Sequence, residues 1–322
     1  MYYSEMKQAV KLLANEWNLG KKESGATGNI CAWIYLFTIL EESEKIVTYK
    51  DGRKLVGFCG YSRNNSKKHL FKKKFYKSCQ KYFLSDSECV KQYYVFTDVD
   101  KIYQEDVDVN IHRFYQEALP WPDIALKRYE IFLKIKDILI RDTDYVFFFN
   151  GNSLFLDYIV WPEIAPNEQQ GFLLSLSWNC YDDNRKFPYD RNIYSTACIP
   201  YGKGNIYYQS GITGGRTREY VNLLQECKEQ TDIDYFNKVT AVYHDESHLN
   251  KFLLDRKIKV LSTNYGRPEE WETPQYPKMI FRDKYKIFGD EINKMKGIKS
   301  RCLFIRFIEK MKRVIQLNLI SK

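Results

Sequence analysis

Tyr145-Val146-Phe147-Phe148-Phe149-Asn150-Gly151-Asn152 decides how this chain is read. Five bulky apolar residues stop abruptly at Asn-Gly-Asn. A run with no polar alternation predicts a strand buried on both faces, as a central parallel strand is. Parallel sheets place ligands beyond the carboxyl ends of their strands, so this turn is a candidate binding site. The amides of Asn150 and Asn152 are neutral. They hydrogen-bond well but ligate divalent metals poorly.

Upstream of that strand, Trp121-Pro122-Asp123 opens a helix running to about residue 141, with Pro near the first turn and an acidic neighbour. Its apolar stripe is Ile124, Tyr129, Ile131, Phe132, Ile135, Ile138 and Leu139. Before it stand a helix from about 71 to 84 and short strands at 92–96 and 110–114, the first ending in Thr97-Asp98. Downstream come a strand at 171–177, shorter strands at 193–200 and 205–208, a helix at 218–230 after Gly214-Gly215, and a helix at 245–255. Nearer the start are a helix at 6–17 and strands at 46–50 and 55–61 that turn at Asp51-Gly52. Strands alternating with helices predict an α/β fold with a Rossmann-like sheet.

The net charge of +9 is concentrated in two places. Residues 63–81 hold eight Lys/Arg and no acid, and residues 294–322 hold nine Lys/Arg and one Glu. Such runs are either solvated faces or contacts to an anionic partner; no nucleic-acid motif accompanies them, so nucleic acid is not expected. In the tail, Leu303, Phe304, Phe307, Ile308, Met311, Val314 and Ile315 fall on one helical face with basic residues elsewhere. That pattern suits an interfacial helix on an anionic membrane, or a helix docked on its own domain. The eight Cys show no C-x-x-C spacing, and no secretory signal or run of about 18 apolar residues is read. A cytoplasmic chain with reduced thiols is expected, with the tail as a peripheral contact to the inner membrane surface.

Three further segments carry chemistry: 207–215 (Tyr-Tyr-Gln-Ser-Gly-Ile-Thr-Gly-Gly), 243–251 (Tyr-His-Asp-Glu-Ser-His-Leu-Asn-Lys) and 282–286 (Arg-Asp-Lys-Tyr-Lys). From its residues alone, Glu246 at a helix start either complements the helix dipole or serves as a reactive carboxylate. His244 and His248 stand four apart, but a third zinc ligand is not close in sequence.

With the Asn-Gly-Asn turn, Tyr94-Val95-Phe96-Thr97-Asp98, Trp121-Pro122-Asp123, Lys127-Arg128 and Ser195-Thr196-Ala197, these segments resemble the family-6 glycosyltransferases over about residues 71–290. Those are retaining α-galactosyl and N-acetylgalactosaminyl transferases that include the human A and B blood-group enzymes. The resemblance implies a GT-A type fold, a UDP-sugar donor and a glycan or glycolipid acceptor. Asn150 and Asn152 stand where many nucleotide-sugar transferases carry a metal-binding Asp-x-Asp, which looks like the bacterial, metal-independent branch with no cofactor. Glu246 is then the nucleophile or cation stabiliser. Asn150, Asn152, Thr97, Asp98, Arg128, Lys284 and Lys286 fall to the donor, with the cations offsetting diphosphate charge. Gln209, Gly211, Tyr243, His244, Asp245 and Trp178 fall to the sugar and acceptor.

In this family donor choice depends on the positions of Gln209 and Gly211, and Gly211 leaves room for an N-acetyl group, which favours UDP-GalNAc over UDP-Gal. The family's His-Pro-Gly-Phe-Tyr acceptor motif is here Ser177-Trp178-Asn179-Cys180-Tyr181. The expected organisation is a catalytic domain at 55–293, a basic amphipathic tail at 294–322, and an extension at 1–54. With residues 55–62, that extension weakly resembles a fragment of the N-acetyltransferase superfamily. The alternatives are an inactive or chimeric UDP-sugar-binding protein and a basic membrane-surface protein.

Overall fold

The structure, a computed structural model, describes residues 66–289 except 86–88, 90, 92, 118, 179–180, 182 and 272–275, together with 42–43 and 61–62. The helix expected at 6–17, the strand expected at 46–50, nearly all of the one at 55–61, and the tail at 294–322 lie outside the described residues.

β1 (Glu42–Ser43) pairs antiparallel with β2 (Tyr61–Ser62). The basic segment then forms α1 (Ser66–Tyr82), five residues earlier than its apolar pattern suggested. β3 (Tyr93–Thr97) and β4 (Ile111–Tyr115) form a parallel pair. The helix expected over 121–141 is broken into α2 (Asp123–Leu126), α3 (Arg128–Leu133) and α4 (Lys136–Asp142). The breaks fall at Lys127 (ψ 7°) and Ile135 (ψ 17°), where tighter i→i+3 bonds such as Ile135 N–H to Phe132 O replace the helical ones. They redirect the chain so that Arg128 and Phe132 are both buried.

β5 (Tyr145–Phe149) has Val146, Phe147, Phe148 and Phe149 fully buried, so burial on both faces holds. Phe147 and Phe149 meet Phe83 edge-on at 6.2 and 5.1 Å, while Phe148 faces Phe132 at 6.4 Å. Its pairing corrects the expected central parallel strand. Among the described residues β5 is an edge strand, hydrogen-bonded antiparallel to β8 (Tyr208–Arg216), because an apolar run reports burial and not strand direction. β6 (Ser153–Phe155) pairs antiparallel with β10 (Met279–Phe281), and α5 (Trp161–Ile164) leads to β7 (Leu173–Ser177). β8 is followed by α6 (Thr217–Phe236), α7 (Asp245–Leu253) and β9 (Lys259–Leu261); α8 (Lys284–Phe288) follows β10. The four-stranded sheet runs β5-β8-β7-β9, with β9 parallel to β7 and the other pairs antiparallel. This is a mixed sheet flanked by helices, the GT-A-like α/β architecture expected.

The strands expected at 193–200 and 205–208 are also corrected. The first segment is a loop: Ile193 is 79% exposed, and Ser195 Oγ and Thr196 N–H bond the Asp234 carboxylate at 2.8 and 2.7 Å instead of a ladder. Of the second, only Tyr208 is strand, the first residue of β8, an internal strand of nine residues that three glycines conceal. A Cβ on Gly214 would lie 2.6 Å from Phe147 Cδ1 and 2.6 Å from Val146 O, so β8 approaches β5 more closely than a side chain allows.

Gly214→Ala is therefore expected to cost about 2 kcal/mol, as overpacking of a rigid core does. Urea denaturation would read this as a lower midpoint with an unchanged slope.

Candidate active site

The site forms where β8 loses its partner. On β7, Ser175 faces Thr213 while the next residue, Leu176, faces Gln209. The residues between, Ser210 to Ile212, bulge from that ladder, leaving backbone groups that need other partners. Ser210 N–H donates to Glu246 Oε2 at 2.8 Å, and Ser210 O accepts from Arg128 Nη1 at 3.2 Å. Gly211 O accepts from Asn150 N–H at 2.7 Å, and Gly211 N–H donates to Gln209 Oε1 at 2.5 Å.

Glu246 lies in the first turn of α7, half-buried. Its Oε1 accepts from the Tyr207 hydroxyl at 2.5 Å. Burial raises its carboxyl above the ordinary value, and the hydrogen bonds from Tyr207 and Ser210 oppose that rise. Asn250, one turn on, clips α7 to β8: it accepts from Tyr208 N–H and donates to Tyr208 O, each at 2.8 Å. The same amide donates to Glu246 O, also at 2.8 Å.

Asp245 points the other way, into a buried pair with Arg128 (2.7 Å), whose guanidinium lies 4.5 Å over the Phe148 ring. Tyr129 donates to Asp245 O at 2.7 Å, so two consecutive residues of α3 hold the start of α7. Just before it, His244 has φ +52° and ψ −121°, a strained backbone for a non-glycine residue. Its ring rests edge-on against Trp121 at 4.7 Å. Tyr243 is half-exposed, with its N–H on Ser247 Oγ at 3.0 Å. His248 is fully buried with Nε2 3.8 Å from Asp234 Oδ2, and burial holds its pKa below the ordinary value. No group of three His, Cys, Asp or Glu suited to a metal occurs among the described residues.

The structure thus brings Glu246, Asp245, His244, Arg128, Gln209, Gly211 and Asn150 together. Asn152 is buried and ties a different part of the chain: its amide donates to Arg282 O and its O accepts from Arg282 N–H, both at 2.8 Å. This clip fixes the Arg282–Lys286 segment beside the Asn-Gly-Asn turn. Lys284 opens α8, and Lys286 reaches Glu269 at 2.8 Å. The side-chain oxygens of Asn150 and Asn152 are both buried without a protein donor. Thr97 and Asp98 end β3 on the separate β3–β4 sheet; Thr97 Oγ1 caps the turn by accepting from Val99 N–H at 3.2 Å. Trp178 donates its N–H to Tyr207 O at 2.9 Å and packs against Trp271 with ring centroids 4.9 Å apart. Tyr207, Ser210, Asn250 and Trp271 were not singled out from sequence. Only Asn250, four residues from Glu246 on one helix face, carried a usable signal.

The family model of glycosyltransferase family 6 matches residues 47–294. This chain belongs to glycosyltransferase family 6. It is 34% identical over 213 residues to the O-antigen biosynthesis glycosyltransferase WbnI of Escherichia coli, covering 66% of this chain and 88% of that protein. It is 29% identical over 206 residues to the histo-blood group ABO system transferase 2 of Rattus norvegicus, covering 61% of this chain and 59% of that protein. A globoside alpha-1,3-N-acetylgalactosaminyltransferase 1 of Gallus gallus is 29% identical over 202 residues, covering 61% of this chain and 57% of its own length. The chain therefore spans under two thirds of these vertebrate relatives. As a family-6 glycosyltransferase it uses a sugar donor and a glycan acceptor.

Two stability outcomes follow for this family-6 chain. Arg128→Met leaves the buried Asp245 carboxylate unpaired and is expected to cost about 3 kcal/mol in chemical denaturation. His248 has its folded pKa below the unfolded value of about 6.5, so the unfolded chain takes up the proton first and stability falls as pH drops below about 6.5. In His248→Gln the loss of stability between pH 7 and 5 should be shallower than in the parent, measured by denaturation at each pH.

Proposed function

We propose that this chain is a retaining α-glycosyltransferase that moves GalNAc or Gal from a UDP-sugar to a galactoside-type acceptor, of α-1,3 type, without a divalent metal. The observation that carries the reading is Glu246, a half-buried carboxylate fixed by the Tyr207 hydroxyl and the Ser210 N–H on the strand bulge. In that role its negative charge faces the anomeric carbon as the bond to the diphosphate oxygen breaks. The electron pair leaves on UDP; Glu246 either bonds to the anomeric carbon and is then displaced by the acceptor oxygen, or shields the cationic carbon while that oxygen attacks, and the acceptor proton passes to the departing diphosphate. Arg128 and Asp245 pair with one another behind Glu246.

The donor set supports metal independence. Asn150 and Asn152 supply neutral amide oxygens, weak ligands with no charge to set against a divalent ion, so the residues fit a divalent ion poorly. Asn152 brings Arg282, Lys284 and Lys286 to the turn, which supports a cationic role for that segment on the leaving diphosphate.

Donor choice is less tied to Gly211 than the sequence suggested. A Cβ there would lie 2.5 Å from Gln209 Oε1, 2.7 Å from Phe281 Cζ and 2.8 Å from Asn150 Nδ2. Packing alone accounts for the glycine, so both UDP-GalNAc and UDP-Gal belong in the assay. The Trp178–Trp271 pair supplies aromatic faces suited to stacking on an acceptor sugar.

UDP release from each donor should persist in EDTA and gain nothing from manganese. Glu246→Gln should lower turnover at least about 100-fold while UDP affinity, by calorimetry, stays within about threefold. Turnover that collapses in EDTA and returns with manganese would overturn metal independence, and a loss of less than about tenfold in Glu246→Gln would remove Glu246 from the chemistry.

A further inference from the structure

Tyr207 sits immediately before β8 and is 3% exposed. Three different constraints fix it. Its ring lies among Tyr181, Tyr189 and Phe187 at centroid distances of 6.0, 5.6 and 6.3 Å. Its carbonyl accepts from Trp178 N–H at 2.9 Å. Its hydroxyl reaches Glu246 Oε1 at 2.5 Å. A phenylalanine would fill the aromatic cluster equally well. A buried phenol without a partner is costly, so packing alone gives no reason for the hydroxyl.

We propose that Tyr207 is a positioning residue for the transfer, holding Glu246 ionised and aimed at the anomeric carbon by donating to Oε1 while Ser210 N–H donates to Oε2. This rests on the assignment of Glu246 to the chemistry. The two donors grip opposite oxygens of one carboxylate, so its plane and direction are fixed by β8 and by the residue that precedes it. Burial and the neighbouring Glu246 carboxylate push the Tyr207 phenol well up, so it remains a donor throughout the working pH range. The other titratable groups around the pair are Asp245 with its Arg128 partner on α3, Tyr243 ahead of α7, and Tyr181 in the aromatic cluster. The Tyr207 hydroxyl and the Ser210 N–H and hydroxyl oppose the effect of burial on Glu246, while the neighbouring Asp245 carboxylate adds to it.

The sign of the consequence is fixed. Glu246 works as an anion, so activity falls as pH drops through its pKa. Removing a donor to the anion raises that pKa and moves the acid limb to higher pH. The test is UDP release from UDP-GalNAc and UDP-Gal by the full chain between pH 5 and 9, for the parent, Tyr207→Phe and Glu246→Gln, with thermal unfolding of each. Tyr207→Phe should fold, keep KM within about twofold, lose about tenfold or more in kcat, and show its acid limb shifted upward by about half a pH unit or more. An unmoved acid limb with kcat within about threefold overturns the proposal, as does a change confined to KM. Full turnover in Glu246→Gln also overturns it, but by removing the assignment of Glu246 itself, which the Tyr207→Phe profile alone does not touch. If Tyr207→Phe does not fold, 3-fluorotyrosine at position 207, a stronger donor of similar shape, must shift the acid limb downward; an unshifted limb overturns the proposal.

Discussion

The ladder between β7 and β8 breaks at one place, and the rest of the site exists because of that break. Residues 210–212 have no regular partner on β7, yet their backbone groups lie in a buried region where an unmade hydrogen bond costs about 1–3 kcal/mol. Two side chains and one backbone N–H take up these groups. Glu246 receives the Ser210 N–H, Arg128 reaches the Ser210 carbonyl, and Asn150 N–H reaches Gly211 O. Asn250 does the same for Tyr208 with two bonds, as a neighbouring strand would. Completing the sheet and fixing the Glu246 carboxylate are therefore one event.

Charge follows the same geometry. Arg128 cannot be left alone over the Phe148 ring, nor Asp245 alone in the first turn of α7. Each is tolerable because of the other, and Glu246 beside them is a half-buried carboxylate held against β8. The strained His244 backbone lets Asp245 turn inward while Glu246, the next residue, turns towards β8. Tertiary contacts from Trp121 and Tyr129, and a bond from Asn250 within α7, hold that conformation.

Sequence disclosed the parts whose signal is local. The apolar run at Tyr145–Phe149 announced a strand buried on both faces, and the His-Asp-Glu-Ser segment announced the start of α7. It concealed β8, because Gly211, Gly214 and Gly215 are poor strand formers in isolation and become necessary only when β5 and Leu173 press against them. It mistook 193–200 for a strand because β-branched and aromatic residues there serve an exposed loop pinned by Asp234. Arg128 was marked for the donor; its buried pairing with Asp245, 117 positions away, is a tertiary fact that no spacing rule reaches. Tyr207 lacked any local signal for the same reason, since its partner lies 39 residues on.

The crowding around Gly211 has an evolutionary side. Enlarging this residue by a single methyl group brings it against Gln209, Phe281 and Asn150 together, and Gln209 must then release the Gly211 N–H. The order of substitutions is therefore constrained: the side chain at 209 has to shorten or swing away before 211 can grow. A larger residue at 211 is therefore expected to be tolerated only together with a change at 209 or 281.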